Sequence, residues 1–266
     1  MQYSIDSKIK LNNGIEMPIF GLGTFESGLR SKMESAVALA LRAGYRLVDT
    51  AEMYHNEDKI GRALKNSVIP REEIFITTKV WPSHQGYDRT MRAFEESLEK
   101  LDTDYVDLYL IHWPVDDLST WKALVDLFKN GKAKSIGVSN YSIKQMKQIM
   151  AISDVIPAVN QIEFSPFNYR REILDFCQEN KIQLEAYSPL TRGKKFKHPV
   201  IKELARKYDR TPAQILLRWV LQHNIIVIPK SSHEKRIQEN AAIFDFEISI
   251  EDMKKLDALD EGFRLS

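Results

Sequence analysis

The 266-residue chain contains a single cysteine, Cys177, and no long apolar run. One cysteine excludes an internal disulfide and a zinc site built from several cysteines, and its amphipathic surroundings predict a position in the core. No stretch approaches the roughly 18 apolar residues that span a bilayer, and the N-terminus lacks the apolar segment of a secretory signal. We therefore expect a cytoplasmic protein.

The net charge is also close to zero, because the chain has 38 basic and 37 acidic side chains, which leave a formal charge of +1. No global field then favours nucleic acid or an anionic membrane, so any anion site must be local. The length alone allows either two small domains or one barrel. No linker-like stretch or internal repeat divides the chain, which favours one domain over residues 1–266.

Short β-like runs alternate with amphipathic helical patterns from Ile19 onward. The runs span residues 19–22, 46–49, 74–79, 105–112, 134–139, 158–163, 183–187 and 225–228. Such alternation is typical of βαβ units with a parallel sheet, and eight strands predict an α/β fold of the (β/α)₈ TIM barrel type. Ahead of them, residues 8–11 and 15–17 flank Asn12-Asn13-Gly14, which predicts an N-terminal β-hairpin able to cap or plug a larger fold.

Polar side chains stand at the ends of most predicted strands, where barrel enzymes place their active sites. They are Asp49, Thr50, Lys79, His112, Ser139, Asn140, Gln161, Glu163, Tyr187 and Ser188. Asp49 and Lys79 each follow an apolar run, so an ion pair would neutralise both charges, and a purely structural ion pair explains these two residues equally well. Tyr54 follows Asp49 by five residues, and an ammonium beside a phenol lowers the phenol pKa. With His112 to orient a substrate oxygen, this group could donate a proton to a carbonyl.

Several sequence motifs, in the right order along the chain, resemble those of the aldo-keto reductases. They are GYRLVDTAEMYHNEDKIG, ITTKVW, DLYLIHWP, GVSNY and IPKSSHEKRIQEN, and the similarity runs from the hairpin to about Leu256. The resemblance implies a barrel that binds NADPH without a Rossmann domain. The sequence agrees, since the glycines Gly21, Gly23 and Gly28 are wrongly spaced for G-x-G-x-x-G and no Walker A motif occurs.

The resemblance implies NADPH-dependent reduction of aldehydes and ketones to alcohols. Tyr54 would donate the proton, Lys79 and Asp49 would lower its pKa, and His112 would orient the carbonyl. Negative charge accumulates on the carbonyl oxygen as hydride arrives, so donors aimed there stabilise the transition state more than the ground state.

The resemblance also implies a cofactor site. Tyr187 would stack on the nicotinamide, and its carboxamide would be bound by Ser139, Asn140 and Gln161. The 2′-phosphate would be held by Lys230, Ser231 and Arg236, and the adenine would lie beside Glu239 and Asn240. The expected cofactor-binding residues also include Thr24, Ser188 and Leu190. Two cations and a hydroxyl suit a phosphate, which predicts preference for NADPH over NADH. The basic loop 191–196 either contacts the pyrophosphate or is simply exposed.

The expected substrate pocket is aromatic, with Phe25, Trp81 and Trp113 around its entrance. Short segments after Trp113 and at the C-terminus predict an open pocket and a reductase similar to the microbial branch of the family. Two alternatives remain open: an aldolase-like enzyme with Lys79 as a Schiff-base lysine, and an NADPH-binding accessory subunit with little turnover. We expect a monomer that acts on a small carbonyl compound and binds neither nucleic acid nor membrane.

Overall fold

The computed structural model describes residues 3–25 and 32–265, so Gly28 lies outside the described part of the chain. An antiparallel hairpin of β1 and β2 precedes a sheet of eight parallel strands, β3 to β10, in sequential order. The strands are β1 (Lys8–Lys10), β2 (Glu16–Pro18), β3 (Leu22–Gly23), β4 (Leu47–Asp49), β5 (Phe75–Val80), β6 (Leu108–Ile111), β7 (Ile136–Ser139), β8 (Val159–Glu163), β9 (Gln183–Tyr187) and β10 (Ile226–Val227). Both the hairpin and the eight-strand count were predicted.

Helices follow most strands and cover the outside of the sheet. They are α1 (Met33–Arg42), α2 (Glu57–Lys65), α3 (Tyr87–Leu101), α4 (Ser119–Lys129), α5 (Ile143–Ile152), α6 (Arg171–Glu179), α7 (Pro199–Lys207), α8 (Pro212–Gln222), α9 (Glu234–Ala241) and α10 (Ile250–Asp257). In the part of the chain that the structure describes, none of them is both long and apolar enough to cross a bilayer. Cys177 on α6 is fully buried, and burial raises the pKa of its thiol to about 12, as expected for a core position.

The barrel closes between its first and last strands. Parallel bridges join Phe20 to Val227 and Gly23 to Lys230, and the Gly21 amide donates to the Val227 carbonyl at 3.0 Å. This seam is short: β3 and β10 have two residues each, whereas β8 and β9 pair over five. The predicted first and fourth strands were therefore too long, because isolated bridges replace a continuous ladder near Phe20 and Val106.

The barrel interior has an apolar layer, most of which lies toward the end where the strands begin. It consists of Leu11, Met17, Leu47, Phe75, Leu108, Leu110, Ala158, Val159, Ile226 and Ile228. Leu11 and Met17 come from the hairpin, which therefore plugs this end. Glycines make room for the leucines, since a Cβ on Gly21 would lie 2.4 Å from Leu47 Cγ and one on Gly137 would lie 2.8 Å from Leu110 Cδ2.

Candidate active site

A polar layer lies above the apolar layer, toward the carboxyl ends of the strands; it consists of Asp49, Lys79, Gln161 and Glu185. Lys79 is fully buried, and its ammonium donates to Asp49 Oδ1 and to the Thr50 carbonyl, both at 2.7 Å. Burial raises the pKa of Asp49, and the Lys79 ammonium opposes that rise. The predicted ion pair between strand ends is therefore present.

Gln161 connects this ion pair to a second carboxyl group. Its Nε2 donates to Asp49 Oδ2 and to Glu185 Oε2, at 2.7 Å each. Because both hydrogens of the amide nitrogen are used in these bonds, Gln161 Oε1 is the atom left to accept a hydrogen bond from a ligand. Sequence reasoning missed Glu185. The signal was available, because Gln183, Glu185 and Tyr187 alternate along β9 and so share the face that points into the barrel.

Tyr54 lies above the ion pair, at the end of a short 3₁₀ helix, Glu52–Tyr54. Its ring centroid is 5.2 Å from Lys79 Nζ, and its hydroxyl has no hydrogen-bond partner among the described residues. The predicted lowering of its pKa is wrong: burial, reinforced by the Asp49 carboxylate, raises the pKa of Tyr54 well above its ordinary value. The main reason is that burial disfavours the charged phenolate. Tyr54 is therefore protonated at neutral pH and able to donate.

His112 lies beside Tyr54, with ring centroids 5.6 Å apart and the planes nearly perpendicular. Burial, and then the Lys79 charge, lower the pKa of His112 to about 2, so the imidazole is neutral at physiological pH. Its Nδ1 is buried without a partner among the described groups. A neutral ring held edge-on to the proton donor is suited to orient a substrate oxygen.

Two of the three predicted aromatic pocket residues contact this cluster. Phe25, 41% exposed, packs against Tyr54 at 5.1 Å between ring centroids, and Trp81 packs against His112 at 4.9 Å. Trp113 is half-buried, and its carbonyl accepts from Gln85 Nε2 at 2.7 Å. Sequence reasoning assigned no role to Glu52, whose carboxylate accepts from the Trp81 amide and so holds the loop after β5 in place.

Comparisons with known proteins agree with this geometry. The profile of the Aldo/keto reductase family matches residues 19–261. The chain belongs to the aldo/keto reductase family. It is 47% identical over 267 residues to a glyoxal reductase of Bacillus subtilis (strain 168), with 100% of this chain and 97% of the relative covered.

The chain is also similar to solved structures of other proteins. An aldo-keto reductase from a Medee basin deep-sea metagenome library superimposes with a TM-score of 0.94 at 44% identity, covering 97% of each chain. An aldo-keto reductase of Bombyx mori in complex with NADP has a TM-score of 0.91 at 36% identity, covering 97% of this chain and 94% of that one. The predicted family, (β/α)₈ barrel and oxidoreductase class are thereby confirmed.

In this aldo/keto reductase, the residues predicted to hold the nicotinamide carboxamide lie together at the barrel mouth. Asn140 Nδ2 donates to the His112 carbonyl at 3.1 Å and to Ser139 Oγ at 3.0 Å, and Tyr187 donates to Asn140 Oδ1 at 2.8 Å. Ser139 thus keeps its hydroxyl proton for a carboxamide oxygen, while Asn140 Oδ1 and Gln161 Oε1 keep lone pairs for its amide. The arrangement fits that group.

The residues predicted for the phosphate and adenine surround the start of α9, which begins at Glu234. Lys230 and Arg236 are exposed, and Ser231 is 6% exposed, with its hydroxyl accepting from the His233 amide. Near them, Glu239 accepts from the Thr211 hydroxyl at 2.6 Å, and Asn240 is 3% exposed. Two exposed cations beside the first turn of a helix suit a phosphate monoester.

The other predicted cofactor residues have different surroundings. Thr24 is fully buried, and its hydroxyl donates to the Asp49 carbonyl at 2.9 Å, so its side chain positions β4. Ser188 is half-buried with a φ of +50°, its carbonyl accepts from the Thr191 amide, and Leu190 is half-buried. In the basic loop 191–196, Lys195 forms an ion pair with Glu261 and lies 4.4 Å from the Phe263 ring centroid, so this cation is tied to the C-terminal tail.

Proposed function

We propose that the chain reduces small aldehydes and ketones with NADPH, and that Tyr54 donates the proton. The observation that carries the proposal is the position of the Tyr54 phenol, protonated and without a hydrogen-bond partner in the described chain, directly beside the neutral His112 ring. When bound, NADPH supplies the hydride. His112 then orients the carbonyl oxygen, and Tyr54 gives its proton to that oxygen as negative charge develops.

A high phenol pKa does not prevent this transfer, because the alkoxide that forms on the substrate is a stronger base than a phenolate. The Lys79–Asp49 pair lies below Tyr54 and keeps a cation within 5.2 Å of its ring as the phenolate forms. The Lys79 charge stabilises the phenolate most strongly once the proton has left. Lys79 therefore stabilises the transition state through its interaction with Tyr54.

The geometry weighs against Lys79 as a Schiff-base lysine. Its ammonium is fully buried and hydrogen bonded to Asp49 and to the Thr50 carbonyl, so it lacks both the exposure and the free lone pair that a nucleophile needs. The proposed substrates are small carbonyl compounds, since Phe25 and Trp81 place apolar rings directly against the reacting groups. A cytoplasmic monomer stays a prediction.

The test follows NADPH oxidation by the purified protein with a panel of aldehydes and ketones that includes glyoxal and methylglyoxal. Tyr54→Phe should lower kcat about 10²–10⁴-fold, the range for loss of a positioned acid, and leave NADPH affinity unchanged. Tyr109→Phe is the control, because the Tyr109 hydroxyl also has no partner among the described residues, but its ring is fully buried beside Phe94 in the core. Equal rates for wild type and Tyr54→Phe would refute the assignment.

The cofactor preference has its own test. Arg236→Ala removes one exposed cation, and a hydrogen bond to a charged group contributes about 1.5–3 kcal/mol. The variant should therefore bind NADPH about tenfold or more weakly, while NADH, which lacks the 2′-phosphate, is bound as before. Fluorescence titration measures both affinities. Equal affinity of the wild-type protein for the two cofactors would contradict the predicted phosphate site.

A further inference from the structure

Glu185 is a fully buried carboxyl group inside the barrel that the mechanism above does not use. Its Oε2 accepts from Gln161 Nε2 at 2.7 Å, and the same nitrogen donates to Asp49 Oδ2 at 2.7 Å. Its other oxygen, Oε1, is buried without a partner in the described part of the chain. One amide therefore connects Glu185 to the carboxylate that pairs with Lys79.

This layer holds two carboxyl groups and one ammonium. Asp49 takes the ammonium at 2.7 Å and is the ionised member of the pair. Glu185 has no cation at hydrogen-bond distance among the described groups, and an isolated buried charge is unfavourable, so Glu185 carries the proton. Burial, followed by the Asp49 charge, raises the pKa of Glu185 to about 8. At neutral pH it is a carboxylic acid.

We propose that Glu185, as a neutral acid, is a positioning residue for carbonyl reduction: it holds the Gln161 amide against Asp49, and its ionisation slows the reaction. The inference rests on the proposed function. Gln161 lies at the junction, because its nitrogen is fixed by the two carboxyl groups while its oxygen faces the side where the carboxamide-binding residues lie. Turning this amide would change both the Asp49 contact and the outward acceptor.

The charged and titratable groups around Glu185 explain why its ionisation matters. Asp49 on β4 and Lys79 on β5 act on it, Tyr54 lies within range of its charge, and Tyr187 is the next inward residue on its own strand. On the other side, Ile226 of β10 and Ile228, which follows that strand, are apolar residues of the barrel interior. Ionisation would therefore add a second anion beside Asp49 with no new cation among these groups. That anion opposes the negative charge that the carbonyl oxygen gains in the transition state.

The experiment measures hydride transfer in single turnovers of the NADPH-loaded protein, from about pH 7 to about pH 9, on either side of the Glu185 pKa. In the wild type, the rate should fall about fivefold across this range. A unit charge roughly 10 Å away at an effective dielectric constant near 20 slows the step about tenfold, and Glu185 is neither fully protonated at the lower pH nor fully ionised at the higher one. Glu185→Gln keeps an acceptor for Gln161 but does not ionise. Its rate should vary less than about twofold between the same two pH values.

Glu57→Gln is the matched control. Glu57 is also a buried carboxyl, 1% exposed, but it accepts from the Thr78 hydroxyl at 2.6 Å on the outer side of β5 and does not contact Gln161. The ratio of its hydride-transfer rates at the two pH values should equal that of the wild type. If Glu185→Gln keeps the wild-type fall, or if the wild type shows no fall, the inference is wrong. If the wild type reduces no carbonyl at all, the proposed function itself fails.

An infrared titration of the protein without cofactor gives a readout that does not depend on activity. The wild type should show the carbonyl stretch of a buried protonated carboxyl that disappears as pH rises through about 8, and Glu185→Gln should lack that band. Glu185→Met serves as a second variant if the glutamine form is unstable. A band that persists in both variants would assign the proton to another group and overturn the inference.

Discussion

The apolar layer and the polar layer of the barrel interior differ in how they contribute to stability and to ligand binding. The apolar layer is filled largely by aliphatic side chains and is closed by the hairpin. The polar layer directly above it buries an ion pair and an acid, and together with the rim it leaves Glu185 Oε1 and His112 Nδ1 without partners among the described residues. Unsatisfied buried polar atoms lower stability. One end of the barrel therefore supplies stability, while the other keeps its polar groups available for a ligand.

The largest expected effect comes from breaking the polar layer. Lys79→Met leaves the Asp49 carboxylate buried and unpaired, which should lower the free energy of unfolding by about 3–5 kcal/mol and abolish measurable turnover. Denaturant unfolding and NADPH oxidation measure the two losses. The double variant Asp49→Asn/Lys79→Met should recover much of the stability but none of the activity. Recovery of both would mean that the ion pair serves the fold alone.

A deletion in the apolar layer should separate stability from chemistry. Leu108→Ala removes a fully buried side chain and should lower the free energy of unfolding by about 2–5 kcal/mol. Leu108 pairs with Thr77, two residues before Lys79 on β5, so kcat per folded molecule should stay within about twofold. Val68→Ala, at a position that is 100% exposed, is the control and should change neither quantity. A large fall in kcat with Leu108→Ala would show that the layers are coupled.

A buried carboxylate outside the barrel tests whether position, rather than charge, makes the difference. Asp252 on α10 accepts from Lys207 and Tyr208 at 2.6 Å each; burial alone would raise its pKa, and these hydrogen bonds lower the pKa below its ordinary range. Its stabilising effect is therefore complete above the ordinary Asp pKa and is lost as pH falls through the lower folded value.

Asp252→Asn should lower the free energy of unfolding by about 1–3 kcal/mol at neutral pH, because charge-assisted hydrogen bonds are lost. The variant should also lose less stability than the wild type on acidification, which thermal unfolding across an acid pH series measures. Its kcat should not change. A change in turnover here would extend the catalytic network far beyond the polar layer.

The smallest effect is expected where the hairpin attaches. Asn13 Nδ2 donates to the Lys134 carbonyl at 3.0 Å and to Ser135 Oγ at 2.9 Å, near the beginning of β7. Asn13→Ala should lower the free energy of unfolding by about 0.5–1.5 kcal/mol, the net range for hydrogen bonds of this kind, without altering turnover. Calorimetry resolves such a shift. No shift at all would mean that the other contacts of the hairpin, among them Asn12 Nδ2 to the Pro157 carbonyl at 3.0 Å, hold the plug without Asn13.

Much of the fold could be predicted from the sequence, because strand-to-helix alternation and polar strand ends are local patterns. The Asp49–Lys79 pair followed from two charges after apolar runs. The direction of the Tyr54 pKa shift did not follow, since it depends on how deeply the ring is buried and on carboxylates brought close by β4 and β9. Glu185 was missed for a related reason: its importance comes from Gln161 on a neighbouring strand, a pairing that only the closed barrel creates.

The seam between β3 and β10 links the integrity of the barrel to the proposed cofactor site. Few hydrogen bonds close it, and one of its bridges involves Lys230, a residue proposed to bind the cofactor phosphate. Short ladders open first in native-state fluctuations, and a ligand that binds only the closed form stabilises it by mass action. Occupancy of the phosphate site should therefore slow hydrogen exchange at the Gly21 and Gly23 amides, which donate across this seam. We therefore expect nucleotide binding and closure of the barrel to be thermodynamically coupled.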